Sequence, residues 1–213
     1  PLTFSLWIKP TQLHDRAVVF HQSRAWTDSA SKGYELLIEN GKLSAAWIHF
    51  WPGNALRVET VEALPLNKWT HVSICYDGSS RAKGVTFYIN GVPAPTKIVR
   101  DQLTKEIVKA AGGSLAIGER FRDNGFKQGQ LDDFKVFARQ ISPVEAKELF
   151  DGKALTTLLT KAPASLTAAE KVQLFQYYLT NHSAAYDTAL KSLQTIRVQY
   201  YTAQDRITEI MVM

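Results

Sequence analysis

Apolar and polar residues alternate through most of residues 1 to about 140. The clearest case is Lys68-Trp-Thr-His-Val-Ser-Ile-Cys-Tyr-Asp-Gly78, answered by Gly84-Val-Thr-Phe-Tyr-Ile-Asn-Gly-Val92. Period-2 alternation rich in aromatic and β-branched residues predicts strands, and Asn90-Gly91, which readily adopts positive φ, predicts a tight turn. The same reading predicts strands at Thr3 to Lys9, Ala17 to His21, Tyr34 to Glu39, Leu43 to Phe50, Leu56 to Thr60, Thr70 to Tyr76, Val85 to Ile89, Ser114 to Ile117 and Gln130 to Phe137. Asn40-Gly41 is a second hairpin signal. Short strands at this spacing argue for a sandwich or barrel and against alternating βα units.

The period then changes. Ser142-Pro-Val-Glu145 supplies an N-cap, a proline at N1 and a glutamate at N3, and Asp151-Gly152 closes the short helix that follows. A linker over 153–166 contains Pro163. Thr167-Ala-Ala-Glu170 is another capping box, with Val172, Phe175 and Leu179 on one helical face. After Asn181-His182-Ser183, apolar residues at Ala189, Leu193, Ile196, Tyr200, Ala203 and Ile207 alternate spacings of four and three, as in a heptad seam. The expected architecture is mainly β: an antiparallel sandwich or barrel over 1–152, which the resemblance described below makes a jelly roll, then a C-terminal helical hairpin over 167–213. So short a connection predicts antiparallel packing of the two helices, and a lone hairpin must dock elsewhere, with Tyr177, Tyr178, Tyr200 and Tyr201 marking either its own core or a docking surface. Pro1 directly precedes an apparent strand and Ile210-Met-Val-Met213 is apolar and uncapped, so chain beyond both ends is expected.

Composition narrows the function classes. A formal net charge of +5 arises from basic residues dispersed among acids, without the runs or basic helix face of a nucleic-acid binder. The chain has no apolar run of membrane-spanning length. Cys75, the single cysteine, alternates with Ile74 and Tyr76 in a strand and reads as a small buried hydrophobe.

Several segments together resemble the laminin G-like branch of the concanavalin A-like lectin/glucanase jelly rolls. They are Phe4-Ser-Leu-Trp-Ile-Lys-Pro10, Trp69-Thr-His-Val72 with Tyr76-Asp-Gly78, Phe87-Tyr-Ile-Asn-Gly91, Leu115-Ala-Ile-Gly118, and Gly129-Gln-Leu-Asp-Asp-Phe-Lys-Val-Phe-Ala-Arg139 running into Ile141-Ser-Pro-Val-Glu145. Trp51-Pro-Gly-Asn54 and Arg120-Phe-Arg-Asp-Asn-Gly-Phe126 look like the version embedded in large planctomycete-type proteins that also carry cytochrome c-like segments. That resemblance implies an extracytoplasmic location and a tail that begins a following domain. No Cys-x-x-Cys-His motif occurs, so no haem is implied for this chain. Such jelly rolls usually begin with a strand before Phe-Ser-Leu-Trp, lying beside the one that holds Leu131 to Phe137. Without it, an open sheet edge is expected there unless another peptide fills the place.

The candidate chemistry divides three ways. Glycosidases need two carboxylates roughly 5 Å apart, or up to about 9.5 Å in inverting enzymes. Glu35 and Glu39 share a strand face but stand about 13 Å apart at ~3.3 Å per residue, and Asp132 and Asp133 are adjacent in sequence. The Glu-x-Asp-x-x-Glu pattern of the glucanase branch is missing, so no catalytic residue is assigned. The resemblance implies Asp132 as a ligand for a structural Ca²⁺; a carboxylate bonded to loop amides is the alternative. His14, His21, His49, His71 and His182 show no metal-type spacing.

A sugar site combines aromatic rings with planar polar groups. Trp47, His49 and Trp51 fall on one side of their strand if it stays extended, Trp26 lies in a long polar loop, and Arg120, Arg122 and Asp123 cluster in another. Brought together, they form an aromatic and basic rim suited to neutral sugars or, through arginine, to sulfates and uronates. The pattern equally fits Trp47 in the core and Arg122–Asp123 pinning a loop. The sequence thus points to a non-catalytic carbohydrate-recognition module of a larger protein. The rival reading is a structural unit that packs against other domains of its own parent; a hydrolase comes third.

Overall fold

In a computed structural model, which describes residues 1–25, 31–107 and 114–208, the chain forms a β-sandwich followed by helices. The strands are β1 (Leu2–Pro10), β2 (Arg16–Gln22), β3 (Gly33–Glu39), β4 (Lys42–Phe50), β5 (Asn54–Ala63), β6 (Thr70–Tyr76), β7 (Val85–Ile89), β8 (Val92–Pro93), β9 (Thr96–Asp101), β10 (Ala116–Ile117) and β11 (Gly129–Phe137). One antiparallel sheet runs β11-β1-β6-β7-β8 and the other β10-β2-β3-β4-β5-β9. Both Asn-Gly turns form as expected, with φ of 50° and 78° at Asn40 and Gly41 and 50° and 75° at Asn90 and Gly91.

Alternation sorts each strand into two faces. Phe4, Leu6 and Ile8 of β1, Leu36 and Ile38 of β3, Trp47 of β4 and Phe87 of β7 fill the space between the sheets. Phe4 packs on Phe20 with ring centroids 4.5 Å apart. β11 pairs with β1 and forms the open end of its sheet, in the place where the resemblance predicts an exposed edge. Its register shifts opposite Ser5 and Trp7, and Asp133 there has φ 49°. The exposed Asp132 and Asp133 put charge on this edge, a common defence against edge-to-edge pairing.

Helix α1 (Pro143–Asp151) covers the outer face of the five-stranded sheet, where Cys75, Tyr88, Ile141 and Ala146 form a second buried cluster. Burial pushes the Cys75 thiol up to about 11, as suits an inert packing residue. The helix starts where the Ser142 amide donates to the Glu145 carboxylate at 2.8 Å and ends at Gly152 with φ 68°. Close approach is possible because residue 91 is glycine: a Cβ there would lie 2.8 Å from Lys147 Cα.

The 153–166 segment contains α2 (Ala154–Leu159), whose Ala154 and Leu158 pack with Val144 of α1. Helix α3 (Ala168–His182) begins at the Thr167/Glu170 capping box and rests Leu174 and Tyr177 on that cluster. Helix α4 (Ala184–Asp205) follows Ser183 and touches the sandwich, with Arg197 Nη1 donating to Asp77 O at 3.1 Å and the Tyr201 hydroxyl bonded to Ser80. Neither α3 nor α4 fully buries a side chain. None of the described helices is long and apolar enough to cross a membrane.

Candidate functional site

The outer face of the six-stranded sheet carries a lattice of charges. Along β3, Leu36 and Ile38 point inward, so Glu35 and Glu39 point outward; on β5 the same logic turns Arg57 outward between Leu56 and Val58. Arg57 Nη2 donates to Glu35 at 2.5 Å and Nη1 to Glu39 at 3.3 Å. From the loop after β10, Arg120 donates to the other Glu35 oxygen and, at 2.5 Å, to Asp123. Arg16 of β2 closes the lattice, donating to Asp123 at 2.8 Å and Glu39 at 3.0 Å. Three guanidinium groups thus balance three carboxylates. The Arg120 and Glu35 side chains are each only 1% exposed.

Burial works against ionisation of Asp123, but hydrogen bonds from Arg16, Arg120 and the Asn124 amide outweigh it and hold the carboxyl at about 2. The loop is also anchored by His21, whose Nε2 lies 3.0 Å from Glu119 O and whose Nδ1 lies 3.0 Å from Ser23 Oγ. Glu35 and Glu39 meet at the single guanidinium of Arg57, which brings their carboxylates closer together than the ~13 Å between their positions along the strand.

The predicted binding set divides. Trp51 lies on this outer face, packed on Ala46, Ile48 and Ala55, with the Arg57 guanidinium 4.2 Å from its ring centroid. Through Arg57 and Glu35 it connects to Arg120 and Asp123. Trp47 does not join them: it is 2% exposed in the core, its ring 4.6 Å from Tyr76. The assumption of a uniformly extended strand fails, because the register shifts between Ile48 and Phe50 and a turn at 51–53 follows. His49 is tied through Nδ1 to Glu106 O at 2.7 Å, away from the lattice. Trp26 lies outside the described residues.

Arg120 is consumed by Glu35 and Asp123, so the exposed guanidinium of this loop is Arg122. It has φ 58° and stands 5.2 Å from the ring of Phe121, itself 66% exposed. Two further polar atoms on the same face, Ser44 Oγ and Arg57 Nε, are buried without a partner among the described residues. Arg57 is the hub that the sequence reading missed. Its signal was an arginine in alternation on one predicted strand and two glutamates in alternation on another.

Asp132 is exposed and accepts the Asp133 amide at 2.7 Å, while Asp133 pairs with Lys135. Among the described residues no group of three or more His, Cys, Asp or Glu gathers as a metal shell. If Asp132 helps to hold a structural calcium ion, a chelator should lower the melting temperature and added calcium should restore it; an unchanged melting temperature would sink that role.

Among solved structures, the Ruminococcus gnavus IT-sialidase CBM40 bound to α2,3-sialyllactose matches with a TM-score of 0.55 at 15% identity, over 70% of this chain and 82% of that one. The HCR/D W1238A mutant matches with a TM-score of 0.51 at 19% identity, over 71% of this chain and 37% of that one. This chain therefore spans little more than a third of the latter protein. No curated protein matches the sequence. The two structural likenesses concern the fold. The sequence itself matches a laminin G-type family model across residues 1–147, and with the two-sheet architecture this places the chain in the concanavalin A-like lectin/glucanases superfamily.

Proposed function

We propose that this domain is a non-catalytic carbohydrate-recognition module, part of a larger extracytoplasmic protein. The observation that carries the reading is Trp51, a partly exposed ring fixed over Arg57 at one end of a rigid charge lattice whose other end is the Arg122–Phe121 loop. An aromatic plane held in place suits the apolar face of a sugar. Arg122 is the group suited to a uronate, a sulfate or another acidic sugar substituent. The likeness to a domain bound to sialyllactose points the same way. The pairing of Glu35, Glu39 and Asp123 with guanidinium groups favours binding over hydrolysis.

The test is titration of the folded domain against neutral, uronic and sulfated polysaccharides. Trp51→Ala should weaken binding at least tenfold, about 1.4 kcal/mol, with the circular dichroism spectrum retained. Arg122→Ala should weaken only acidic glycans. Unchanged affinity in Trp51→Ala, or no binding across the panel, would reject the reading. A second reading, packing against other domains of the parent, is favoured by one observation: Val172, Phe175, Ile196 and Tyr200 are exposed apolar side chains on α3 and α4.

A further inference from the structure

A cavity of about 370 Å³ lies between α4 and one end of the sandwich, apart from the lattice of Trp51 and Arg120. Its volume falls within the ordinary range of small-molecule sites, roughly 300–1,000 Å³. Its walls include Trp47, Tyr76, Leu103, Val198 and Tyr201, with Arg197 beside them. The wall is largely apolar, but its polar groups are not matched. Trp47 is 2% exposed, and its indole N–H has no acceptor among the described residues. Such a buried donor calls for an explanation, because the great majority of buried polar atoms in native proteins are paired.

That N–H is closed to solvent, and the neighbouring hydroxyls are already engaged. The Tyr76 hydroxyl accepts the Ser80 amide at 2.8 Å, and the Tyr201 hydroxyl is bonded to the Ser80 side chain. Arg197 gives one N–H to Asp77 O at 3.1 Å and has others to offer. Of the remaining charges on the wall, Lys105 and Glu106 are of opposite sign and offset one another. The site therefore presents an apolar body and a net cationic contribution from Arg197. These features select a ligand that is apolar, small and carries an acceptor with negative charge.

We infer that this cavity binds a small organic anion whose aromatic or short acyl body lies against Trp47, Tyr76 and Val198 and whose carboxylate or sulfonate meets Arg197. The inference is independent of the glycan reading, because neither Trp51 nor Arg122 lines this cavity.

Fluorescence titration with 8-anilinonaphthalene-1-sulfonate, followed by displacement with decanoate, tests it. The expected result is one saturable site per chain that decanoate empties. Val198→Trp, which fills the cavity from a half-exposed helix position, should weaken probe binding at least about tenfold while the melting temperature holds. Arg197→Gln should weaken decanoate by a similar factor and leave decanol unchanged. Absence of a saturable phase would overturn the inference. So would undiminished binding in Val198→Trp, which would place the probe on the exposed apolar faces of α3 and α4 instead.

Discussion

Arg120→Met should lower the stability of the domain by about 3–5 kcal/mol, among the largest effects expected of any single substitution. Arg120 donates to Glu35 and Asp123, and all three side chains are almost fully buried. Removing the guanidinium takes one cation from both Glu35 and Asp123, so the lattice of Arg16, Arg57, Glu35, Glu39 and Asp123 carries one more negative than positive charge. The cost arises from that stranded charge and not from the attraction lost, because burying ions offsets much of what their pairing gains. The double variant Glu35→Leu/Arg120→Met, which removes one charge of each sign, should therefore be more stable than Arg120→Met itself. A double-mutant cycle measured by urea unfolding checks this. Additive losses from Glu35→Leu and Arg120→Met would show that the pair is not coupled through the lattice. Thermal unfolding should follow, at roughly 2–4 °C per kcal/mol for a chain of this size.

The lattice also shows where sequence reasoning succeeds and where it stops. Local chemistry was legible: Asn40-Gly41 and Asn90-Gly91 turn as their positive φ preference requires, and Ser142/Glu145 and Thr167/Glu170 open helices. These signals reside in a few adjacent residues. β9 was missed because Pro93, Pro95 and Lys97 disguise its start, and because its partner is the distant β5. Trp47 and Trp51 were assigned one face by strict alternation, and the irregularity near residue 49 separated them. Arg57 went unnoticed because its meaning depends on register. Its ladder neighbour on β4 is Ala46, which in turn lies opposite Glu35 on β3, so only a small residue between them lets guanidinium and carboxylate meet across the intervening strand.

This construction bears on the proposed function. A sugar site must hold its groups in place before the ligand arrives, since ordering flexible side chains on binding costs affinity. Here Arg57 is fixed by Glu35 and Glu39, and Trp51 is fixed by Arg57 and the alanine floor. The buried lattice thus serves the binding face without itself touching the ligand, and Arg120 is best regarded as a positioning residue. Glycan affinity should fall in Arg120→Met even under conditions where the variant remains folded.

Acid should destabilise the fold in a window set by His71. Its ring is buried beside Trp7, with Nε2 2.9 Å from Ser5 Oγ and Nδ1 unpartnered among the described residues. Burial, aided by the positive charge of Lys135, lowers its pKa from 6.5 to about 4. The unfolded chain therefore takes up a proton that the native ring refuses between those values. Stability is fully present above pH 6.5, falls as the pH drops toward 4, and levels off once the native ring is protonated too. At about 1.4 kcal/mol per pKa unit, a displacement of this size carries a loss of roughly 3 kcal/mol. His21, also lowered by burial and by Arg120, adds in the same direction. Asp123 acts in a separate, lower window: its contribution is present above its ordinary value of 3.8 and is lost as the pH falls toward 2. Melting temperatures of the parent and His71→Gln between pH 7 and 4.5 decide the matter. The parent should lose several degrees and the variant clearly less, whereas parallel curves would assign the acid sensitivity to groups other than His71.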